Sequence, residues 1–355
     1  MPDIVETLAE PADGPAPLLV LDRVRDFLDA HGLGTGPVRA RRIGEGGGSN
    51  FTFLLERDDG RFVLRRAPRP PLPPSAHDMV REARLQLALA PLGIRVPTIL
   101  AVCEDEGLLG VPFYVMDFID GHVVSTQLPA ELAADEDARR RLGEDLVATL
   151  VEIHSADVSD AGLAAFARPG SYLERQVRRF GQLWEMNATR DLPTVDQVGR
   201  ELAGRMPEPL PPAVVHGDYR LGNMITTREH PDRIAAVLDW EMGAIGDPRA
   251  DLGYLVATYS EPGGNPNPLG TSPVTATPGF PSRAELIDRY VSASGLDVEP
   301  LAWFEALALW KAAVFCEAIY GRYMRGELTA DDAGAERFAE GVPRLAEIAA
   351  ETLAR

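Results

Sequence analysis

From Leu18 to His31 the apolar residues Leu21, Val24, Phe27 and Leu28 recur at helical spacing and give way at Gly32, which predicts a helix. Three strands are expected next, over 38–43, 50–57 and 61–66, with Asp58-Asp59-Gly60 as a tight turn between the last two. A Pro-rich connector, Pro68 to Pro74, leads into a second helix. Ser75 is its expected N-cap, Asp78 falls in its first turn, and Pro91 to Gly93 end it. Two more strands are expected near Thr98–Cys103 and Pro112–Met116. From Pro129 onward the pattern turns helical. Leu142, Leu146, Leu150 and Ile153 line one face of a helix closing near His154, which reads as a helix-end cap. Ala213-Val214-Val215 is a short buried strand, and 224–227 with 234–238 are the arms of a β-hairpin. Glu261 to Ser282 is dominated by Pro, Gly, Asn, Ser and Thr, and is expected to be either disordered or a functional loop near a site. Residues 283–355 are again helical. Residues 1–17, rich in Pro, Ala and acid, are expected to be poorly ordered.

At 355 residues the chain suits two lobes better than one compact core. No apolar run approaches the ~20 residues needed to cross a bilayer, and the acidic start, Met1 to Glu6, lacks the layout of a secretion signal. Cys103 and Cys316 lie in apolar stretches and read as buried thiols, so a cytoplasmic protein is expected. The net charge of −19 argues against nucleic acid or an anionic membrane as partner. Because the acidic residues are scattered, a soluble acidic surface explains them better than a cationic substrate does. Among 35 basic residues there is a single lysine, Lys311.

One segment carries chemistry: His216-Gly-Asp218-Tyr-Arg-Leu-Gly-Asn223, then Asp239-Trp240 sixteen residues after Asn223. The tripeptide alone is an ordinary turn. An Asp and an Asn five apart in one loop, with a second Asp delivered by a hairpin, is how kinase-like folds organise phosphoryl transfer. Asp218 then orients or deprotonates the accepting hydroxyl, and Asn223 and Asp239 hold Mg²⁺ against the phosphates of ATP. The stretch from Val214 to Leu252 resembles the aminoglycoside phosphotransferase and choline kinase superfamily. It is most similar to the branch of kinase modules found beside, or fused to, acyl-CoA dehydrogenases, through His216 to Asn223, Leu238-Asp239-Trp240-Glu241 and Gly246-Asp247-Pro248-Arg249-Ala250-Asp251-Leu252-Gly253. The resemblance extends from about Arg41 to Tyr323. It implies an α+β, protein-kinase-like fold of two lobes. The small N-lobe, 18–118, would hold an antiparallel five-stranded sheet plus helix, and the large C-lobe, 119–355, would be mainly helical.

Within that frame, Gly44, Gly46, Gly47, Gly48 and Ser49 form a turn whose backbone N–H groups can approach ATP phosphates. Arg65 stands where kinases carry a phosphate-contacting lysine, and Glu82 is its expected partner acid. Arg66 should point to the opposite strand face. By resemblance alone, Asp117 and Ile119 offer main-chain groups to adenine and Met116 lines its pocket. Asp247-Pro248 is a helix start, and the resemblance implies that Asp251 anchors the catalytic loop without touching ATP. The function expected is an ATP- and Mg²⁺-dependent phosphotransferase acting on a small-molecule hydroxyl. The expected acceptor is a hydroxylated acyl group of the kind carried on coenzyme A; Trp303, Trp310, Lys311, Tyr320, Arg322, Tyr323 and Arg325 offer it aromatic and cationic surface. Three alternatives stand beside it. One is a kinase of aminoglycosides or other small cationic alcohols, and another is a non-catalytic nucleotide binder. The third is a metallohydrolase built on His216, His230, Asp218 and Asp239, for which six histidines are few.

Overall fold

The computed structural model describes residues 3–8, 16–44, 50–70, 72, 77–264, 269–327 and 332–355. The chain divides into two compact units, Met1–Asp120 and Gly121–Arg355.

The first unit contains strands β1 (Ile4–Val5) and β2 (Leu19–Val20), helix α1 (Leu21–Ala30), and strands β3 (Arg39–Ile43), β4 (Phe51–Glu56) and β5 (Arg61–Arg66). Helix α2 (Met79–Leu89), β6 (Ile99–Cys103), the short α3 (Glu106–Leu109) and β7 (Phe113–Asp117) complete it. Five strands form one sheet in the order β3-β4-β5-β7-β6, every neighbour antiparallel. Period-2 alternation separates its two faces. Phe53, Leu55, Leu64, Phe113 and Val115 pack with Val24, Phe27 and Leu28 of α1. Val63, Tyr114 and Met116 pack with Met79 and Ala83 of α2. Helix α2 begins at Met79, with the Asp78 side chain accepting from the Arg81 N–H at 2.9 Å. The expected cap, Ser75, is therefore displaced by Asp78, and lies outside the described residues. Part of the stretch expected to be flexible is tied down, since Ile4–Val5 pair in parallel with Leu19–Val20.

The second unit is mainly helical. Its strands are β8 (Gly121–Val123), β9 (Ala213–Val215), β10 (Met224–Thr227), β11 (Ile234–Val237) and β12 (Ala244–Gly246). They form two small sheets, β11-β10-β8 and β12-β9. The helices are α4 (Ala130–Ala134), α5 (Glu136–His154), α6 (Ala161–Ala164), α7 (Tyr172–Asn187), α8 (Pro193–Gly204), α9 (Arg249–Thr258), α10 (Arg283–Ser294), α11 (Leu301–Met324) and α12 (Asp332–Leu353). Helix α11 is apolar around most of its circumference, as a central helix must be, and α7, α8 and α12 pack against it. Trp303 and Trp310 are core residues whose indole N–H groups donate to Leu202 O (3.2 Å) and Val195 O (2.9 Å). This corrects their expected place on an acceptor surface.

The Pro- and Gly-rich stretch after Tyr259 is ordered by packing where it is described. Val274, Thr275 and Phe280 are buried, Tyr259 donates to Pro281 O, and Arg139 donates to Pro278 O. Its composition hides this because the contacts come from α5 and α9, not from its own periodicity.

Candidate active site

The loop after β9 is held from beneath by one carboxylate. Asp251, on the first turn of α9 and fully buried, accepts the N–H of His216 at 2.6 Å and of Gly217 at 2.8 Å. His154 adds a third contact, Nε2 to Asp251 Oδ2 at 3.3 Å, while its Nδ1 meets the Tyr290 hydroxyl at 2.7 Å. Burial alone would raise the Asp251 carboxyl, but the hydrogen bond and charge of His154, with His216 beside it, hold it below its ordinary value. His154 thus ends α5 but does not cap it; it joins α5, α9 and α10 beneath the loop. Its partners lie 97 and 136 residues away, so no local pattern marks it.

Gly217 adopts φ +85°, and a Cβ there would meet Met242 Cβ at 2.8 Å, so glycine is required. The His216 ring, buried against Trp240, joins the two halves of the site. Its Nδ1 accepts the Asp218 N–H (3.2 Å), which leaves Nε2–H to donate to Leu238 O (2.7 Å), the residue before Asp239. Both ring nitrogens are thereby committed. Among the described residues, no cluster of three or more His, Cys, Asp or Glu could hold a metal ion, and the metallohydrolase reading loses its central ligand.

Asp218 and Asn223 lock together. The Asn223 amide N–H₂ donates to both the carbonyl and Oδ2 of Asp218, each at 2.8 Å. Asp218 Oδ1 is buried with no hydrogen bond at ordinary distance; Arg220 Nε stands 3.4 Å away. The Tyr254 hydroxyl lies beside the same carboxylate, and burial together with that charge holds the phenol protonated. The Tyr219 hydroxyl fastens the loop to Leu146 O on α5. The β10–β11 hairpin is fastened in turn by Asp145, which accepts the Ile234 N–H at 2.7 Å. It delivers Asp239 in the left-handed region (φ 66°, ψ 57°), unusual for a residue with a side chain and typical of functional sites. Asp247 accepts the Arg249 N–H at 3.0 Å as an N-cap would, with the helix assigned from Arg249.

In the first unit the structure brings Arg65 and Glu82 together. Arg65 Nε lies 3.2 Å from Glu82, which also accepts from the Tyr114 hydroxyl at 3.1 Å. Glu82 is only 1% exposed, so it is no solvated helix charge. Arg66 points the other way, donating to Leu18 O and Ala67 O. Met116 is buried on the α2 side of the sheet. Asp117 gives its N–H to Thr98 O (2.9 Å), so of its main chain only the carbonyl could meet a ligand. Ile119 is partly buried. Gly44 adopts φ +86° with open space where a Cβ would stand; Gly46, Gly47, Gly48 and Ser49 lie outside the described residues.

Residues 39–304 match the model of the phosphotransferase enzyme family. The chain belongs to that family. Its curated relatives include acyl-CoA dehydrogenase family member 11 of Gallus gallus, 34% identical over 309 residues that cover 85% of this chain and 39% of the relative. Family member 10 of Mus musculus is 30% identical over 330 residues, 92% of this chain and 30% of the relative. The phosphotransferase chain therefore spans well under half the length of these relatives. Among solved structures, a Ralstonia eutropha JMP134 protein with a provisional aminoglycoside phosphotransferase name superposes with a TM-score of 0.75 at 25% identity, covering 93% of this chain and 98% of that one. Aminoglycoside phosphotransferase APH(4)-Ia, solved with ADP and hygromycin B, gives 0.60 at 16% identity over 91% and 98% of the two chains. The fold is the α+β kinase-like fold of these transferases. Among the described residues, no helix is long and apolar enough to cross a membrane.

Proposed function

We propose that this phosphotransferase moves the γ-phosphoryl group of ATP to a hydroxyl of a small molecule, with Mg²⁺. The observation that carries the reading is the Asp218–Asn223 lock. One carboxylate oxygen is fixed by an amide, and the other is buried, has no hydrogen bond at ordinary distance and is able to receive a hydroxyl proton. The donor set suits a hard cation. Asn223 spends its N–H₂ on Asp218, which leaves the amide oxygen as its acceptor, and Asp239 supplies a carboxylate from a strained backbone position. Bound Mg²⁺-ATP supplies the phosphoryl group and the cation that neutralises its charge.

The chain's own residues do the remainder. Asp218 orients the acceptor hydroxyl and takes its proton as the oxygen bonds to phosphorus and ADP leaves. Asn223 and Asp239 hold the cation. Arg65, braced by Glu82, serves the α- and β-phosphates; its planar fork suits phosphate as well as carboxylate. Gly44, Gly46, Gly47, Gly48 and Ser49 serve the phosphates, and Met116, Asp117 and Ile119 meet the adenine. That Arg65 has a buried acid partner weighs against a binding-only role.

The acceptor is a hydroxylated acyl group, carried on coenzyme A. Support comes from the relatives, whose names tie them to acyl-CoA chemistry and which match this chain over most of its length. The test is ADP release by purified protein with Mg²⁺-ATP, comparing hydroxyacyl-CoA species with several aminoglycosides and choline. Turnover of the hydroxyacyl compounds alone is expected. Efficient phosphorylation of an aminoglycoside, with none of the acyl compounds, would overturn the acceptor assignment, and nucleotide binding without any turnover would overturn catalysis.

A further inference from the structure

Lys311 is the only lysine in a chain whose other basic residues are all Arg, and nothing in the phosphoryl-transfer site described above uses it. It sits on α11 immediately after the packed residue Trp310. Its ammonium lies 4.8 Å from the centroid of the Phe180 ring on α7. Its side chain is partly buried, yet among the described residues the ammonium has no hydrogen bond or ion pair in the structure. The charges acting on it include those of Asp218 and Asp251, with Arg179 opposing.

An ammonium carries three N–H donors, and a ring face replaces only part of the water it loses. Leaving such donors unmatched in a partly buried place is unfavourable. Two other partly buried or buried cations of this unit avoid that state. Arg190 pairs with Glu317 of the same helix at 2.9 Å, and Arg249 pairs with Asp247 at 2.7 Å. Lys311 pairs with neither Asp218 nor Asp251, although both carboxylates are close enough to influence it. Burial outweighs the opposing pull of Asp251 and Asp218 and leaves its ammonium lowered to about 8. One turn further along the same helix face, Phe315 is 60% exposed and offers an apolar side chain to a ligand. A point charge on a flexible stem suits a single ligand oxygen.

We propose that Lys311 binds the acyl oxygen of the acceptor, a carboxylate or a thioester carbonyl, while the acyl chain lies along Phe315 and the hydroxyl faces Asp218. This rests on the hydroxyacyl reading above and deepens it. In Lys311→Met, the acceptor KM should rise by about tenfold to a hundredfold, the scale of one charge-assisted hydrogen bond, with the KM for ATP within about twofold of wild type. A diol acceptor lacking the acyl oxygen should be a poor substrate for wild type and lose nothing further in the variant. Equal losses on both acceptors, or a loss confined to ATP, would overturn the proposal. A second readout needs no turnover. As the sole lysine, Lys311 gives one modified side chain with an amine-acetylating reagent, separable by peptide mass spectrometry from the terminal amine. Hydroxyacyl-CoA or the free hydroxy acid should slow its acetylation and the diol should not, and whichever of the two acyl ligands protects identifies the oxygen bound. If wild type turns over no acyl compound, the proposed reaction fails while this labelling still decides Lys311; labelling unslowed by either acyl ligand sinks it.

Discussion

At Asp218 the two carboxylate oxygens have different environments, one fixed by the Asn223 amide and one buried without a hydrogen bond at ordinary distance. Replacement by Asn keeps the shape and removes the proton acceptor. Asp218→Asn should lower kcat by about 10²- to 10⁴-fold and leave nucleotide binding nearly intact, read by ADP release beside equilibrium nucleotide binding. Turnover within a few-fold of wild type would remove Asp218 from the reaction. The adjacent arginines of β5 make a second contrast, because strand alternation sends them to opposite faces. Arg65→Ala should raise the KM for ATP, and Arg65→Lys should recover part of it by keeping charge without the fork. Arg66→Ala should leave the KM alone and destabilise the fold by about 1–3 kcal/mol, since its hydrogen bonds to Leu18 O and Ala67 O are buried. Thermal melts and ATP titrations of both variants would show the reverse pattern if the roles were exchanged. This distinction could be read from the sequence, because period-2 geometry is local; the pairing of Arg65 with Glu82 was expected from the resemblance to kinases, but the burial of Glu82 was not legible there.

At the scale of elements, the β10–β11 hairpin and the loop after β9 are two separate pieces of backbone made into one site by His216, which bonds Asp218 N on one side and Leu238 O on the other. Asp239 follows that carbonyl in a left-handed conformation that Asn also tolerates. Asp239→Asn therefore removes charge without changing the backbone demand. It should raise the Mg²⁺ concentration needed for nucleotide binding by about tenfold or more, measured by titrating Mg²⁺ against bound ATP. An unchanged requirement would take Asp239 out of the metal site. The strands themselves follow from alternating residues. The start of α2 at Asp78 does not, because several Pro, Ser and Asp residues upstream could each have begun a helix, and packing of Met79 and Ala83 on the sheet selected one.

Across the whole second unit, Asp251 is the point where α5, α9, α10 and the loop after β9 meet, through His154, Tyr290, His216 and Gly217. Its carboxyl lies below the ordinary value of 3.8 in the folded protein. The unfolded chain thus takes up the proton first on acidification, so the stabilisation is complete well above that value and is lost as pH falls through the folded pKa. Melting temperatures followed from neutral to acid pH should show it. Asp251→Asn should be less stable at neutral pH, and its melting temperature should fall less with acid than that of wild type. Parallel curves for the two proteins would show that Asp251 does not set the acid limb.

What the sequence by itself determined were features written in short-range spacing: the alternating strands of the first unit, the amphipathic helices, and the placement of Asp218, Asn223 and Asp239 around one turn and one hairpin. Those depend on backbone geometry over a few residues. Tertiary structure alone decided which side chains support them. It buried Trp303 and Trp310 in the core, folded the Pro-rich stretch after Tyr259 against α5, and placed His154 under the loop after β9. It also set Lys311 over Phe180 within reach of the Asp218 charge. Each of these is a contact between residues far apart in the chain, and only the packing of one helix on another brings such residues together.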